Sequence, residues 1–253
     1  MILVVGASGA TGQLLIEQLL RRGHKVKAII RESASFPTFL RENTNIQLIQ
    51  ANLLDLDDQA LSCLLKDCAA IASCLGHNMS FKGMYGKPRR LVTDAVRRLC
   101  QAAIALNQQS PANELPIKFC LMNSSGVVNH KLNEKVSIAN KVLTGLIRAL
   151  VPPHSDNEEA SAYLQNHIGV ENPQLQWVAV RPDGLIDEVA VSEYQVFPSP
   201  IRDPILDSGK TSRINVAAFM AKLLSDDNLW DTWQGQTPVI YNADFASPSV
   251  KKS

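Results

Sequence analysis

The chain has 253 residues, of which 45% are hydrophobic and 19% are charged, a composition that supports a sizeable core and excludes a disordered chain. Its 25 Lys and Arg residues nearly balance its 24 Asp and Glu residues, for a net charge of +1, so no nucleic acid and no anionic membrane is expected as a partner. No apolar run approaches the roughly 18 residues that span a membrane, and no signal-peptide pattern opens the chain, so we expect a cytoplasmic protein.

Short apolar runs alternate with helical patterns along the first 180 residues. The predicted strands are residues 2–5, 25–30, 46–50, 69–74, 117–122 and 175–180. Between them, residues 12–22 and 91–106 repeat apolar side chains at helical spacing, and Gly23 stands where the first helix should end. Strands that alternate with helices predict an α/β fold, a doubly wound parallel sheet with helices on both faces.

The second half of the chain is expected to complete the same single domain. Pro152 and Pro153 interrupt a helical pattern over residues 135–151, and a new helix is predicted to begin near Asp156. Residues 1–180 would form the core, residues 181–241 a small, proline-rich and irregular region beside the substrate, and residues 242–253 a tail.

The five cysteines give no sign of a disulfide framework or a metal site. Their number is odd and no two form a Cys-x-x-Cys pair. We therefore expect reduced and mostly buried thiols. Cysteine and histidine positions form no ligand cluster, so no metal is expected.

The strongest motif is a glycine-rich loop that directly follows the first strand and opens the first helix. Gly6 allows a tight turn, Gly9 leaves room for a pyrophosphate, and Gly12 allows the helix to pack against the sheet. The helix N-terminus offers free N–H groups and a partial positive charge to the anion. The whole loop is a predicted cofactor-binding segment: Gly6, Ala7, Ser8, Gly9, Ala10, Thr11 and Gly12.

The end of the second strand indicates which dinucleotide binds. An acidic residue about 20 positions beyond the glycines would bind the ribose hydroxyls of NAD. Arg31 stands there instead, and a guanidinium suits the 2′-phosphate of NADP. The alternative is that Arg31 pairs with Glu32 on the surface and that NAD is still accepted.

These motifs resemble the short-chain dehydrogenase/reductase superfamily, and within it the atypical NmrA-like NAD(P)-binding branch that includes biliverdin-IXβ/flavin reductase. The resemblance extends to about residue 241 and implies a Rossmann fold. It implies further cofactor contacts, in which Asn52 replaces the usual Asp near the adenine: Asn52, Leu53, Ser73, Cys74, Leu75, Gly76, Ser124 and Pro182. Residues 211–217 resemble a structural element of the branch.

Many members of the superfamily protonate their product with a serine and a Tyr-x-x-x-Lys motif. Ser125, at the end of the fifth strand, fits the catalytic serine position better than Ser124, but no Tyr-x-x-x-Lys follows it. Tyr163 is followed four residues later by His167 instead of lysine. The resemblance therefore leaves the proton donor open.

Several residues are candidates for that donor, each with a simpler alternative. Besides Ser125, His154 could act near the nicotinamide, although it could instead cap a helix or lie on the surface. Tyr163 could act too, or pack in the core; Lys131, Lys135 and Lys141 could be donors or solvated helix charges. The glycine-, aromatic- and lysine-containing segment 76–90 is either a substrate loop or a solvated loop.

The resemblance leaves three functions open. The first is NADPH-dependent reduction of a small molecule, a carbonyl, a quinone or a flavin; the last two need mainly a positioned nicotinamide. The second is a non-catalytic NADP(H) sensor of the NmrA type with a protein partner. The third is an NAD-dependent epimerase or dehydratase, which normally retains the Tyr/Lys pair.

Overall fold

The computed structural model describes residues 1–77, 86, 88–109, 115–129, 132, 134, 152–204 and 206–247. Eight strands form one sheet: β1 (Ile2–Val5), β2 (Val26–Ile30), β3 (Ile46–Gln50), β4 (Ala70–Ser73), β5 (Ile117–Met122), β6 (Leu175–Pro182), β8 (Tyr194–Phe197) and β10 (Val239–Asn242). Their spatial order is β3-β2-β1-β4-β5-β6-β10-β8. All neighbours are parallel except β8, which is antiparallel to β10. The predicted doubly wound sheet is confirmed.

Helices cover both faces of this sheet. They are α1 (Ala10–Arg21), α2 (Thr38–Arg41), α3 (Asp58–Leu65), α4 (Leu91–Gln109), α5 (Pro152–Tyr163), α6 (Arg213–Ser225) and α7 (Asp227–Trp233). Alternate residues of β1 enter different cores: Ile2 and Val4 pack with α1 and α6, whereas Leu3 and Val5 pack with α3, α4 and α5. This alternation is why the strands read as continuous apolar runs in the sequence. None of the described helices is long and apolar enough to cross a membrane.

The direction in which successive strands are added to the sheet reverses between β1 and β4, which lie side by side in the middle of the sheet. In open α/β sheets a ligand binds at such a point, outside the carboxyl ends of the strands. The loop after β1 and the segment after β4 therefore border the expected crevice.

Two parts of the second half differ from the sequence expectation. Helix α5 begins at Pro152, not near Asp156, because proline is tolerated in the first turn of a helix, where its missing N–H would have no intrahelical acceptor. The region after Arg181 is also more regular than its proline content suggests. It supplies β8 and β10 to the main sheet and a separate two-stranded sheet, β7 (Gly184–Ile186) with β9 (Lys210–Ser212). Of the predicted tail, residues 248–253 lie outside the described residues.

All five cysteines are free. Cys68, Cys74, Cys100 and Cys120 are buried, and Cys63 is exposed. The expectation of reduced, mostly buried thiols is confirmed.

Candidate functional site

The glycine loop is shaped by close backbone contacts. Gly6 has a φ of +73°, and a Cβ added there would lie 2.5 Å from the carbonyl carbon of Cys74, at the end of β4. A Cβ on Gly12 would lie 2.2 Å from the Gly6 carbonyl oxygen. That same oxygen accepts a hydrogen bond from the Gly9 N–H at 3.0 Å. Only glycine fits at positions 6 and 12, because the loop, β4 and the first turn of α1 meet there.

Helix α1 presents an open N-terminus to the crevice. Gly9 is its N-cap and supplies no side-chain hydrogen bond, and both Gly9 and Ala10 are exposed. The first N–H groups of a helix have no intrahelical acceptor, so those of Ala10 and Thr11 are free to receive an anion. Ser8 is held below them, since its carbonyl oxygen accepts from Gln13 Nε2 at 2.9 Å. A diphosphate fits this cradle.

Arg31 follows β2 on the same edge of the sheet and is exposed. In the described part of the chain its guanidinium forms no ion pair with Glu32 or any other acid. The Ala51 N–H donates to the Ile30 carbonyl oxygen at 3.0 Å, which keeps the ends of β2 and β3 together. Arg31 and Asn52 therefore follow neighbouring strands on the same edge of the sheet.

The turn after β3 is fixed by an arginine that sequence reasoning missed. Arg98, on α4, donates to the carbonyl oxygens of Leu53 at 3.3 Å and Leu54 at 2.6 Å, and also to that of Leu56. Asn52 Nδ2 donates to Asp55 Oδ2 at 2.7 Å within the same turn. Backbone acceptors leave no signature in a sequence, so only the fold could reveal this role of Arg98.

The end of β4 lies directly behind Gly6. Ser73 and Cys74 are buried, Leu75 is half-buried, and Gly76 is exposed at the mouth of the crevice. The Cys74 N–H donates to the Val5 carbonyl oxygen at 2.9 Å. Burial raises the pKa of the Cys74 thiol to about 12, so Cys74 acts as a small apolar wall and not as a nucleophile.

The two serines after β5 have different environments. Ser125 is buried, and its Oγ donates to Asp183 Oδ1 at 3.0 Å. Ser124 is half-buried; its Oγ accepts from the Gly126 N–H at 3.3 Å. The catalytic role expected for Ser125 stays a prediction, but its hydroxyl proton already has an acceptor inside the protein.

Asp183 is a structural junction at the end of β6. Besides Ser125, it accepts from Ser208 Oγ and from the N–H groups of Gly184 and Gly209, each at 2.9 Å. Pro182 is buried beside it and its carbonyl oxygen accepts from the Ser125 N–H at 2.9 Å. Pro182 therefore fixes the serine segment through its backbone.

Arg181, near the end of β6, is a second residue with a structural role in this region. Its side chain is fully buried, and its guanidinium binds both carboxylate oxygens of Glu134, at 2.6 and 3.1 Å. It also donates to the carbonyl oxygens of Thr237 at 2.7 Å and Val127 at 2.8 Å. These bonds hold the segment after β5 against β6 and β10.

His154 approaches the serine segment from α5. A Cβ added to Gly126 would lie 3.5 Å from His154 Cε1 and 3.6 Å from Ser124 Oγ, so the imidazole and the hydroxyl flank Gly126. His154 Nε2 lies 3.4 Å from Glu158 Oε1. The structure thus brings Ser124 and His154 together, whereas Ser125 Oγ is bonded to Asp183.

Tyr163 lies away from Ser124 and His154. It ends α5, nine residues after His154, which is about 13 Å along a helix axis. Its ring lies 5.2 Å from the His167 ring and under Arg97. Burial, and then the neighbouring Cys100, raise the pKa of Tyr163, whereas a catalytic phenol needs a lowered one.

A buried pair, also missed by sequence reasoning, lies where segment 76–90 begins. His77 Nε2 and Asp156 Oδ2 are 2.7 Å apart. The Asp156 carboxylate also accepts from the N–H groups of Val92 and Thr93 at 2.8 Å, and so caps α4. Most of the predicted substrate loop, segment 76–90, lies outside the described residues. The three lysines considered as proton donors, Lys131, Lys135 and Lys141, lie outside them too.

Solved structures share this fold over nearly the whole chain. An oxidoreductase from Lactococcus lactis aligns with a TM-score of 0.64 at 16% identity, covering 96% of this chain and 91% of that one. A candidate NADH-flavin reductase from Streptococcus pneumoniae gives 0.63 at 15%, covering 95% and 98%. A short-chain dehydrogenase/reductase from Veillonella parvula in complex with NADP gives 0.62 at 12%, covering 98% of each chain.

Sequence comparison gives a shorter match and a family. An uncharacterized chloroplastic protein of Arabidopsis thaliana is 30% identical over 80 residues, which are 32% of this chain and only 29% of that relative. A family model described as NAD(P)H-binding matches residues 6–227. The match begins at the first glycine of the loop and includes β2 to β6. The chain therefore belongs to the NAD(P)H-binding family.

Proposed function

We propose that this protein is an NADPH-dependent oxidoreductase that reduces a small molecule. One observation supports the proposal: along one edge of the sheet Arg31 follows β2, the glycine loop follows β1, and Ser124 follows β5 with His154 nearby. A dinucleotide bound across the ends of β2, β1, β4 and β5 would bring its nicotinamide to those two side chains. When bound, the reduced cofactor supplies a hydride.

The preference for NADPH rests on Arg31. Among the described residues the exposed Arg31 guanidinium has no acidic partner, so it is free for a phosphate, and the bond would be charge-assisted. The ribose hydroxyls of NADH would instead be bound best by a carboxylate at this position, where the chain has none. NADPH binding is the finer part of the proposal and needs its own measurement.

A non-catalytic NADP(H) sensor is the second candidate. It is favoured by the position of Tyr163, because no tyrosine and lysine pair lies beside the serines among the described residues. A sensor would bind the dinucleotide through the same cradle and pass the signal to a protein partner. It would need neither Ser124 nor His154.

Turnover separates the two candidates. The purified protein is mixed with NADPH and, in turn, with an aldehyde, a quinone and a flavin, while the absorbance of NADPH is followed. NADPH binding is measured in parallel by calorimetry. Consumption with any acceptor supports the oxidoreductase. Tight binding without consumption across the panel supports the sensor, and a lack of binding removes both.

A further inference from the structure

His154 and Glu158 form a side-chain pair on the first turns of α5. They are four residues apart, so they lie on the same face of the helix. A histidine and a glutamate at this spacing put two titratable side chains side by side on α5, next to the segment that carries the serines.

The imidazole has a defined orientation. Its Nε2 faces Glu158 Oε1 at 3.4 Å, whereas its Cε1 and Nδ1 face Gly126, at 3.5 and 3.9 Å from the position of an added Cβ. The His154 and Glu158 side chains are only 15% and 16% exposed. The imidazole is thus mostly buried, and its Nε2 has no hydrogen-bond partner among the described residues.

Ser124 completes the arrangement beside Gly126. A Cβ added to Gly126 would lie 3.6 Å from Ser124 Oγ and 3.5 Å from His154 Cε1, so the hydroxyl and the imidazole border the same space. The Ser124 Oγ accepts from the Gly126 N–H at 3.3 Å, and no described residue accepts its hydroxyl proton, which can therefore be donated to a group in that space. Two donors that border one space match the needs of a single oxygen atom that gains negative charge.

We infer that the substrate is a carbonyl compound and that His154 is the proton donor to its oxygen. This inference rests on the proposed oxidoreductase function. The carbonyl carbon takes the hydride from the reduced nicotinamide, the C=O π bond breaks, and its electron pair forms an O–H bond with the proton from His154 Nδ1. The products are an alcohol and the oxidised dinucleotide, and His154 regains its proton from solvent.

Glu158 is a positioning residue in this scheme. Its carboxylate lies 3.4 Å from Nε2 and so favours the ring orientation in which Nδ1 is turned toward the serine segment. Ser124 holds the oxygen by a hydrogen bond. A flavin or quinone depends less on a proton donor, because its reduced form delocalises the added charge. Reduction of such an acceptor would not require His154 and Glu158.

The test uses the full chain, NADPH and two acceptors, 4-nitrobenzaldehyde and FMN. We expect the wild type to reduce the aldehyde. His154→Ala and His154→Gln should lower kcat about 100-fold or more with an unchanged Kd for NADPH, and added imidazole should restore part of the His154→Ala rate. Glu158→Gln should lower kcat by up to about 100-fold with little change in KM, while Glu158→Asp should retain more activity.

Glu159→Gln is the matched control. Glu159 is the next residue on α5, but its carboxylate pairs with Arg90 at the surface, at 2.5 Å. The Glu159→Gln substitution should leave the kinetics of aldehyde reduction unchanged. A fall in kcat with this variant would indicate a general effect of helix charge and would overturn the role of Glu158.

The outcomes distinguish the inference from the proposed function. Aldehyde reduction that survives both His154 variants, or reduction of FMN alone, overturns the inference and leaves the oxidoreductase standing. NADPH binding without reduction of either acceptor, or of the wider panel, overturns both.

Discussion

Ser125 Oγ and Asp183 Oδ1 are joined by a hydrogen bond of 3.0 Å that ties the end of β5 to the end of β6. The neighbouring Ser124 hydroxyl instead faces the same space as His154. Ser125, which the sequence pattern favours as the catalytic serine, is therefore tied to Asp183, whereas the Ser124 hydroxyl has no such acceptor among the described residues.

This contrast predicts different effects of two alanine substitutions. Ser125→Ala removes a buried donor from Asp183 and should lower the free energy of unfolding by about 1–3 kcal/mol. Ser124→Ala should change it by less than about 0.5 kcal/mol but should slow aldehyde reduction more. Urea unfolding and steady-state kinetics on both variants measure this. If Ser125→Ala keeps full stability and loses more activity than Ser124→Ala, the sequence assignment of Ser125 as the catalytic serine is right.

The second prediction concerns cofactor choice. Arg31→Ala should weaken NADPH binding about 10- to 100-fold, the value of one or two charge-assisted hydrogen bonds, and should leave NADH binding nearly unchanged. Arg21→Ala removes the same charge from the exposed end of α1, where Arg21 has only a weak contact with Glu17 at 3.9 Å. It should change neither affinity. Equal losses for both dinucleotides with Arg31→Ala would contradict the proposed NADPH preference.

The third prediction separates two glycines of the cradle. A Cβ at position 12 would overlap the Gly6 carbonyl oxygen at 2.2 Å, so Gly12→Ala should cost roughly 2–3 kcal/mol of stability or prevent folding. At Gly9 the nearest atom is the same oxygen at 3.2 Å, and the rest of the Cβ environment is open. Gly9→Ala should fold with a smaller loss and should mainly weaken NADPH binding. Thermal melting together with calorimetry distinguishes the two effects.

The strands of the sheet could be predicted from the sequence because the pattern that marks each strand lies within a few consecutive residues. Strands buried on both faces are mostly apolar runs, so 2–5 and 117–122 match the observed bounds; 46–50 matches too, although β3 lies at the sheet edge and is only partly buried. The start of α5 was placed too late, because two prolines read as a break when they in fact occupy a first turn. In the site, the glycine loop was readable since backbone crowding demands glycine at set positions.

The remaining parts of the site depend on contacts between distant segments. Arg98 binds carbonyl groups more than 40 positions earlier in the chain, and Asp156 caps a helix that begins before it in sequence. Nothing in local composition marks such partners.

The fourth prediction tests the role of Arg98 in fixing the turn after β3. Arg98→Ala removes its bonds to the carbonyl oxygens of that turn, so the adenine end of the cradle should lose order and dinucleotide affinity should fall about 10-fold. Arg97→Ala is the matched control, because Arg97 lies over the Tyr163 ring and away from the turn. It should leave affinity unchanged. If the two variants bind NADPH alike, the turn does not contribute to the site.

The fifth prediction concerns thiol reactivity, which depends on the thiolate. Burial raises the pKa of Cys68, of Cys74 to about 12, and of Cys100 and Cys120 well above the ordinary range. These four thiols therefore stay protonated at mildly alkaline pH, whereas Cys63 is exposed and free. The folded protein should react rapidly with one equivalent of a thiol reagent, and the unfolded protein with five. Cys63→Ser should abolish the rapid phase. Fast labelling of Cys74 in the folded protein would mean that the end of β4 behind Gly6 opens to solvent. That result would contradict a rigid glycine loop, on which the proposed diphosphate site depends.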